Sequence, residues 1–229
     1  MKRTTFVALA AFVTLAAFAP RPAHALGPLD VLASGAAPRE ARLDTGIQNG
    51  FVAWLAYGQR LPPLLLDRPL AFEVRFGGPY ASPDFGDSGL EAGVQMDVWG
   101  AGRWRLRDQL DLGERTTSNP VFDGLTLLVR DTLSFGWQGR GGGFGVDLGW
   151  QQGLATHIHH SNWYQGEIYP CAKDGWIAFP SGRLDIGFYG GFAIGERVYL
   201  AARLGYDRDR TGHADLLPLV GVLTGAFRF

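Results

Sequence analysis

The stretch 103–112, RWRLRDQLDL, alternates two kinds of side chain with a period of two residues. One set is apolar and the other is charged or amidic, and only Asp108 breaks the apolar set. Successive side chains of a β-strand point to opposite faces of a sheet. The stretch therefore predicts a strand with one apolar face and one charged face.

The same alternation returns along most of the chain, so we expect an all-β protein. With 103–112, the expected strands are 45–58, 69–77, 89–98, 121–137, 143–156, 183–194, 197–209 and 216–229. Glycine-rich stretches at 100–102, 139–143 and 195–196 predict tight turns, whereas 78–88, 113–120 and 157–181 are longer and polar. Short turns on one side and long loops on the other indicate an antiparallel up-and-down meander.

Charges on one face and aromatic rings on the other predict which face points inward. The expected lumen charge network is Glu73, Arg75, Glu91, Asp97, Arg103, Arg105, Arg107, Arg130, Asp147, Arg183, Asp185 and Arg203. Acids and bases in a narrow lumen can pair with each other. Large rings of the apolar face collect beside the short turns: Trp104, Trp137, Phe144, Phe192, Phe227 and Phe229. This is typical of the aromatic girdle of a transmembrane β-barrel, whose apolar face contacts lipid.

The N-terminus has the pattern of a secretory signal peptide. Lys2 and Arg3 precede an apolar run from Phe6 to Ala19, and Ala23-His24-Ala25 follows it. This predicts a signal peptide at 1–25 that is cleaved after Ala25. We expect residues 26–43 to form an N-terminal segment or short first strand, and residues 44–229 to form the barrel.

Charge and cysteine content exclude some classes of protein. The formal net charge is −1, which offers no electrostatic case for binding nucleic acid. Cys171 is the only cysteine, so no disulfide forms within the chain. No motif indicates a cofactor, and we expect none.

The predicted leader, the amphipathic meander and the final strand ending in Gly225-Ala226-Phe227-Arg228-Phe229 together resemble small Gram-negative outer-membrane β-barrel proteins of the OmpA/OmpX-like type. The resemblance spans about residues 44–229. It implies an outer-membrane location, contact with outer-membrane lipid, and recognition of Phe229 by the barrel-assembly machinery. It implies nothing about activity.

The strand number is the open point of this interpretation. Bacterial single-chain barrels have an even number of strands, and nine are expected from the pattern. Either 27–40 supplies a short first strand, which gives ten, or 45–58 lies outside the wall, which gives eight. The turn sequence Arg60-Leu61-Pro62-Pro63 favours ten. Side chains mostly fill a lumen of this size, which argues against a wide porin and leaves a narrow, gated or closed pore.

Residues 155–167, ATHIHHSNWYQGE, hold three of the five histidines. If the parity of strand 143–156 continues, His157, His159 and Ser161 face the lumen, and Ile158 and His160 face outward. Because this strand runs toward a long loop, the cluster is predicted at the extracellular mouth.

Three interpretations of this stretch are open. His159-x-Ser161-Asn162 resembles the H-x-S-N stretch of outer-membrane phospholipase A and of lipid A 3-O-deacylases such as PagL. The resemblance implies Ser161 as nucleophile, His159 as its base and Asn162 as a polarising or orienting group. No N-P-G-like continuation follows. Those enzymes place the pair on the lipid-facing outside, opposite to the predicted parity unless a β-bulge reverses it.

The second interpretation is a metal site. His157 and His159 share a face, Asp207 is expected inward at a similar height, and His213 lies in the following loop. Imidazole and carboxylate can bind zinc or similar ions. The third interpretation is a hydrogen-bonded, solvated polar mouth.

We favour the polar mouth and expect no enzymatic activity. The expected role is structural, narrow-pore or partner-binding in the envelope, with another envelope protein as a candidate partner. An outer-membrane lipid esterase that uses Ser161 and His159 is the alternative.

Overall fold

The computed structural model describes residues 38–47, 51–62, 68–79, 87–139, 141–178, 182–209 and 218–229. The predicted signal peptide, residues 26–37 of the N-terminal segment, and His213 lie outside these residues.

Strands make up most of the described chain. They are β1 Arg39–Ile47, β2 Phe51–Leu61, β3 Leu70–Pro79, β4 Gly89–Ala101, β5 Trp104–Ser118, β6 Phe122–Gly139, β7 Gly142–His160, β8 Gly175–Ile177, β9 Gly182–Ile194, β10 Val198–Asp209 and β11 Leu219–Arg228. A single π-helical turn, Tyr164–Ile168, follows β7. Within the described residues, no helix has the length and apolar character needed to cross a membrane.

Ten of these strands close into one antiparallel barrel. Each strand pairs with its neighbour along the chain, β7 pairs directly with β9, and β1 pairs with β11 to close the seam. The seam runs from Glu40 opposite Arg228 to Ile47 opposite Gly221. The short strand β8 pairs only with Thr156–Ile158 of β7, beyond the point where β9 begins. The predicted all-β up-and-down barrel with ten strands is confirmed.

The first two strands differ from the expectation. Residues 45–58 were expected to be one strand, but β1 ends at Ile47 and β2 begins at Phe51, and these two residues are paired. The extra strand is therefore Arg39–Ile47 and not 27–40. The sequence signal for this hairpin is Asn49-Gly50, a dipeptide favoured in tight hairpin turns.

The connection expected at 113–120 is also different. β5 continues to Ser118 and β6 begins at Phe122, so only three residues join the two strands. The side-chain oxygen of Asn119 accepts hydrogen bonds from the backbone N–H groups of Val121 and Phe122, at 2.9 and 3.1 Å. Such a side-chain bond stabilises a tight turn. β5, β6 and β7 are consequently the longest strands.

The distribution of buried and exposed side chains is the reverse of that in a water-soluble protein. Charged side chains point into the barrel, and Arg75, Glu91 and Arg130 are at most 2% exposed. Large apolar side chains cover the outside; Phe188 and Leu204 are about 70% exposed. The apolar face therefore points outward and the charged face inward, as predicted.

Candidate functional site

Buried ion pairs occupy the lumen near the tight-turn end. Arg228 Nε lies 2.8 Å from Glu40, and the Arg42 guanidinium lies 2.6 Å from Asp44 and 2.8 Å from Glu73. β1, β3 and β11 carry these residues on their inner faces. The pairs therefore join the two sides of the barrel seam to the wall beside it.

Two larger clusters occupy the middle of the lumen. In the first, Arg75 binds Glu91 and lies 3.4 Å from Asp111, and Glu91 also binds Arg115 at 2.9 Å. In the second, Arg203 binds Asp147 and, at 2.5 Å, Asp185. Separate pairs join Arg107 to Asp97 at 2.8 Å and Arg183 to Asp207 at 2.7 Å.

Apolar and aromatic side chains complete the filling of the barrel. Near the long-loop end, Val52, Trp54, Val220 and Val222 form a buried cluster. The guanidinium carbons of Arg75 and Arg115 lie 5.8 and 6.0 Å from the Trp54 ring centre. Near the other end, the Arg228 guanidinium lies 4.6 Å from the Tyr199 ring centre. The lumen is thus packed with side chains over much of its length.

Arg103 is an exception among the twelve predicted lumen residues. It lies in the Gly102–Arg103 turn, is exposed, and places its guanidinium 5.5 Å from the Trp137 ring centre. Gly102 adopts a positive φ of 59°, so the turn occupies both residues and strand alternation starts only at Trp104. Arg105 is a rim residue whose side chain is 34% exposed. The other ten point inward, and Arg183 is the least enclosed of them.

Several lumen residues were missing from the prediction. They are Glu40, Arg42, Asp44, Asp111, Arg115 and Arg228, together with Asp207 in the role of an ion-pair partner. Glu40, Arg42 and Asp44 alternate with Ala41 and Leu43, a signal that was available once β1 was recognised as a strand.

The predicted girdle residues lie on the outer face beside the tight turns. Trp104 stacks on Phe135 with ring centres 5.2 Å apart, Trp137 stacks on Phe144 at 5.8 Å, and Phe227 stacks on Phe229 at 6.2 Å. Phe192 is 56% exposed on β9. These rings form a band at one end of the apolar surface.

A β-bulge in β7 reverses the predicted direction of the histidines. Leu127 pairs with Ala155 while Leu128 pairs with Gly153, so Leu154 has no partner on β6. Paired residues share a face of the sheet. His157 pairs with the outward Leu125 and His159 with the outward Asp123, so both histidines face outward.

The prediction that His157 and His159 face the lumen, with Ile158 and His160 outside, is therefore wrong. One additional residue exchanges the two faces for every position beyond it. Ile158 is 9% exposed and faces inward, whereas the His159 side chain is 59% exposed.

Asp174 connects the two histidines to the loop before β8. Its carboxylate lies 2.5 Å from His159 Nδ1 and 3.0 Å from His160 Nδ1, and it accepts the His160 backbone N–H at 2.9 Å. The hydrogen bond from the His160 backbone, followed by those from the imidazoles of His160 and His159, lowers the pKa of Asp174 to about 2. The carboxylate is therefore ionised at neutral pH and holds His159 through Nδ1.

Ser161 is bonded to the backbone and not to His159. Its hydroxyl donates to the Pro120 carbonyl at 2.7 Å and accepts the Tyr164 N–H at 3.2 Å. Its own N–H donates to Val121 O at 2.8 Å. His159 and Ser161, the pair implied by the resemblance, are separated by one residue along the chain but are not hydrogen-bonded, and Asn162 is exposed beside them.

The predicted metal site is not assembled. His157 and His159 face outward, whereas Asp207 faces inward and binds Arg183. His213 lies outside the described residues. Across the part of the chain that the structure describes, no group of three His, Cys, Asp or Glu side chains could hold a metal ion. The bulge separates the imidazoles from the carboxylate, because it places them on opposite faces of the wall.

These features define a closed ten-stranded antiparallel barrel with a charge-filled interior and an apolar exterior. No protein-family model matches the sequence, and no curated protein matches it. A solved structure described as "KdgM porin in complex with disordered oligogalacturonate" is similar, with 8% identity and a TM-score of 0.43. The similarity covers 83% of this chain and 99% of that chain.

Proposed function

We propose that this protein is an outer-membrane β-barrel whose lumen is sealed and which has a structural or partner-binding role in the envelope. The observation that carries the proposal is the packing of ion pairs across the lumen of a wall that is apolar outside. Short turns of such barrels face the periplasm, so the histidine-bearing rim would face the cell exterior.

The ion pairs explain why the lumen would stay closed. A ten-stranded barrel encloses little more than the volume of its own inward side chains. Removing one partner of a buried pair costs about 3–5 kcal/mol. Spontaneous opening through the Arg75–Glu91 or Arg203–Asp147 clusters would therefore be rare.

Conductance in planar bilayers tests the sealed lumen. We expect no steady ion current through the wild-type protein. The double variant Arg75→Ala/Glu91→Ala removes both partners and two long side chains, and we expect it to conduct. A variant at the exposed Arg208, Arg208→Ala, serves as the control and should remain closed. A steady open-pore current through the wild type would overturn the proposal.

A second candidate function is an outer-membrane lipid esterase or deacylase. The bulge at Leu154 favours it, because it turns His159 to the outer face, where acyl chains would lie. Asp174 holds His159 Nδ1, which leaves Nε2 as the base. Ser161 would be the nucleophile once its hydroxyl exchanges the Pro120 carbonyl for His159, and Asn162 would polarise the ester.

Mass spectrometry of envelope lipids tests the esterase. Cells that make the wild-type protein should contain lipids that lack an acyl chain, and cells that make Ser161→Ala should not. His157→Ala is a matched control, since this outward histidine has no role in the proposed chemistry and should leave the lipid change intact. Identical lipids in wild-type and Ser161→Ala cells would remove this candidate.

We also propose that the barrel-assembly machinery recognises Phe229. The residue directly follows β11 beside the seam, its N–H donates to Arg39 O at 3.0 Å, and its ring is 50% exposed. Phe229→Ala should reduce the amount of folded barrel in cells while leaving refolding of the purified chain in detergent unchanged. An equal loss in both experiments would point to ordinary stability instead.

A further inference from the structure

A surface pocket of about 470 Å³ lies on the tight-turn end of the barrel, between the β4–β5 turn and the β6–β7 turn. Arg103, Trp137 and Phe144 line it, together with glycines of the β6–β7 turn and Gly191 of β9. We propose that it binds the phosphate of an anionic membrane phospholipid, whose headgroup carries no cation that could compete with Arg103. The inference rests on the proposed membrane position of the barrel.

Among the described residues, Arg103 is a cation without a counterion. Across the described residues, the Arg103 guanidinium contacts no carboxylate, and it lies 5.5 Å from the centre of the Trp137 ring. By contrast, the charge of Arg107, further along β5, is balanced by Asp97 inside the lumen. Guanidinium groups bind phosphate oxygens through parallel hydrogen bonds, and Arg103 is free to do so.

Glycine is required for the shape of the pocket. A Cβ at Gly139 would lie 2.6 Å from the Trp137 ring, and a Cβ at Gly142 would lie 2.3 Å from Gly191 O. A side chain at either position would displace the Trp137 ring or separate β7 from β9. The absence of side chains therefore keeps this space open beside the arginine.

The walls of the pocket select a lipid over a free anion. Trp137 and Phe144 are stacked rings of the proposed girdle, so the pocket lies where headgroups meet acyl chains. A phospholipid can place its phosphate on Arg103 and its glycerol and first acyl carbons along the rings. Soluble phosphate would gain only the contact with Arg103.

Quenching of Trp137 by brominated lipids tests the site in the full-length barrel reconstituted in vesicles. The signal of Trp137 is the difference between the wild type and Trp137→Phe, measured in brominated phosphatidylglycerol and in brominated phosphatidylcholine. We expect stronger association of phosphatidylglycerol at Trp137, and we expect Arg103→Gln to reduce that preference about fivefold, the scale of one interfacial arginine. Arg197→Gln is the matched control, because Arg197 is exposed at the same end in the β9–β10 turn.

The outcomes separate the site from the membrane placement. Quenching by neither lipid would overturn the membrane placement and the site with it. Equal quenching by both lipids, or an equal loss in Arg103→Gln and Arg197→Gln, would overturn only the headgroup site. Soluble glycerophosphate added to phosphatidylcholine vesicles should not change the fluorescence signal of Trp137. A change in this signal that disappears in Arg103→Gln would assign the site to a free phosphate.

Discussion

At the scale of single residues, stability depends on charges that are almost completely buried. Arg203 of β10 is 3% exposed and binds two carboxylates, Asp185 of the neighbouring strand β9 and Asp147 of β7, the next strand beyond it. A buried carboxylate is tolerated when a partner compensates its loss of hydration. The arginines of the lumen therefore act as cross-links between strands, and each should matter more than a surface ion pair.

Replacing Arg203 tests this role. Arg203→Met leaves two buried carboxylates without their partner, and we expect a loss of about 3–5 kcal/mol in the free energy of unfolding. Urea unfolding in detergent, followed by tryptophan fluorescence, measures the loss. Arg208→Met, on the same strand but exposed, should change the value by less than about 0.5 kcal/mol. Equal losses in the two variants would contradict the cross-link.

The contacts of the Asp174 carboxylate with His159 and His160, called here the Asp174 clamp, predict that the protease sensitivity of the following loop depends on pH. The pKa of Asp174 is about 2 in the folded protein, below its value in the unfolded chain. The clamp is therefore complete at a pH above the unfolded pKa and is lost as the pH falls through the folded pKa. We expect the loop 161–178 to become sensitive to protease between about pH 4 and pH 2.

Pepsin digestion at stepped pH measures the release of this loop. Asp174→Asn keeps the size of the side chain but has no charge to titrate, so its loop should be equally sensitive across the window. An acid-dependent step that persists in Asp174→Asn would assign the transition to another group.

At the scale of elements, the bulge in β7 decides what the outer rim presents. Below Leu154 the even-numbered residues of β7 face outward; above it, His157 and His159 do. On each side of Leu154 the side chains of β7 alternate regularly between the two faces of the wall. The single extra residue shifts this alternation by one position. A bulge forms because the partner strand supplies one residue fewer, which a single strand does not reveal.

Deleting Leu154 should remove the bulge and leave position 157 outward, because Gly153 can still pair with Leu128 and Ala155 with Leu127. We expect a nitroxide label at His157→Cys, in a Cys171→Ser background, to keep its collisions with lipid-dissolved oxygen after the deletion. Electron paramagnetic resonance measures these collisions. A label at Ile158→Cys, which faces inward, should stay shielded with and without the deletion. Loss of the collisions at position 157 after the deletion would contradict a bulge at Leu154.

At the scale of the whole molecule, closure depends on the approach of β1 to β11. A Cβ at Gly46 would lie 2.2 Å from Gly221 O and 2.9 Å from the Val222 Cα. These are backbone atoms of the facing strand, which cannot move aside without opening the seam. Gly46 therefore permits closure of the barrel.

Alanine substitutions on the two sides of the seam test this requirement. Gly46→Ala should lower the free energy of unfolding by about 1–3 kcal/mol, the usual cost of overpacking. Gly221→Ala should be tolerated, since its Cβ meets only Leu204 Cδ2 at 3.6 Å. The urea midpoint at which the fast-migrating folded band disappears from unboiled gels measures both. Equal urea midpoints for Gly46→Ala and Gly221→Ala would show that closure of the seam does not require glycine at position 46.

The sequence by itself determined the strand class and which face is charged, because a period of two follows directly from backbone geometry. It left the strand number between eight and ten, and the pairing of β1 with β11 decided it. Tertiary structure decided the direction of Arg103, His157 and His159, and the pairing of each lumen charge. Turn length and bulge position depend on how many residues the neighbouring strand supplies, and ion pairs depend on register between strands. Neither quantity is encoded in the period of one strand.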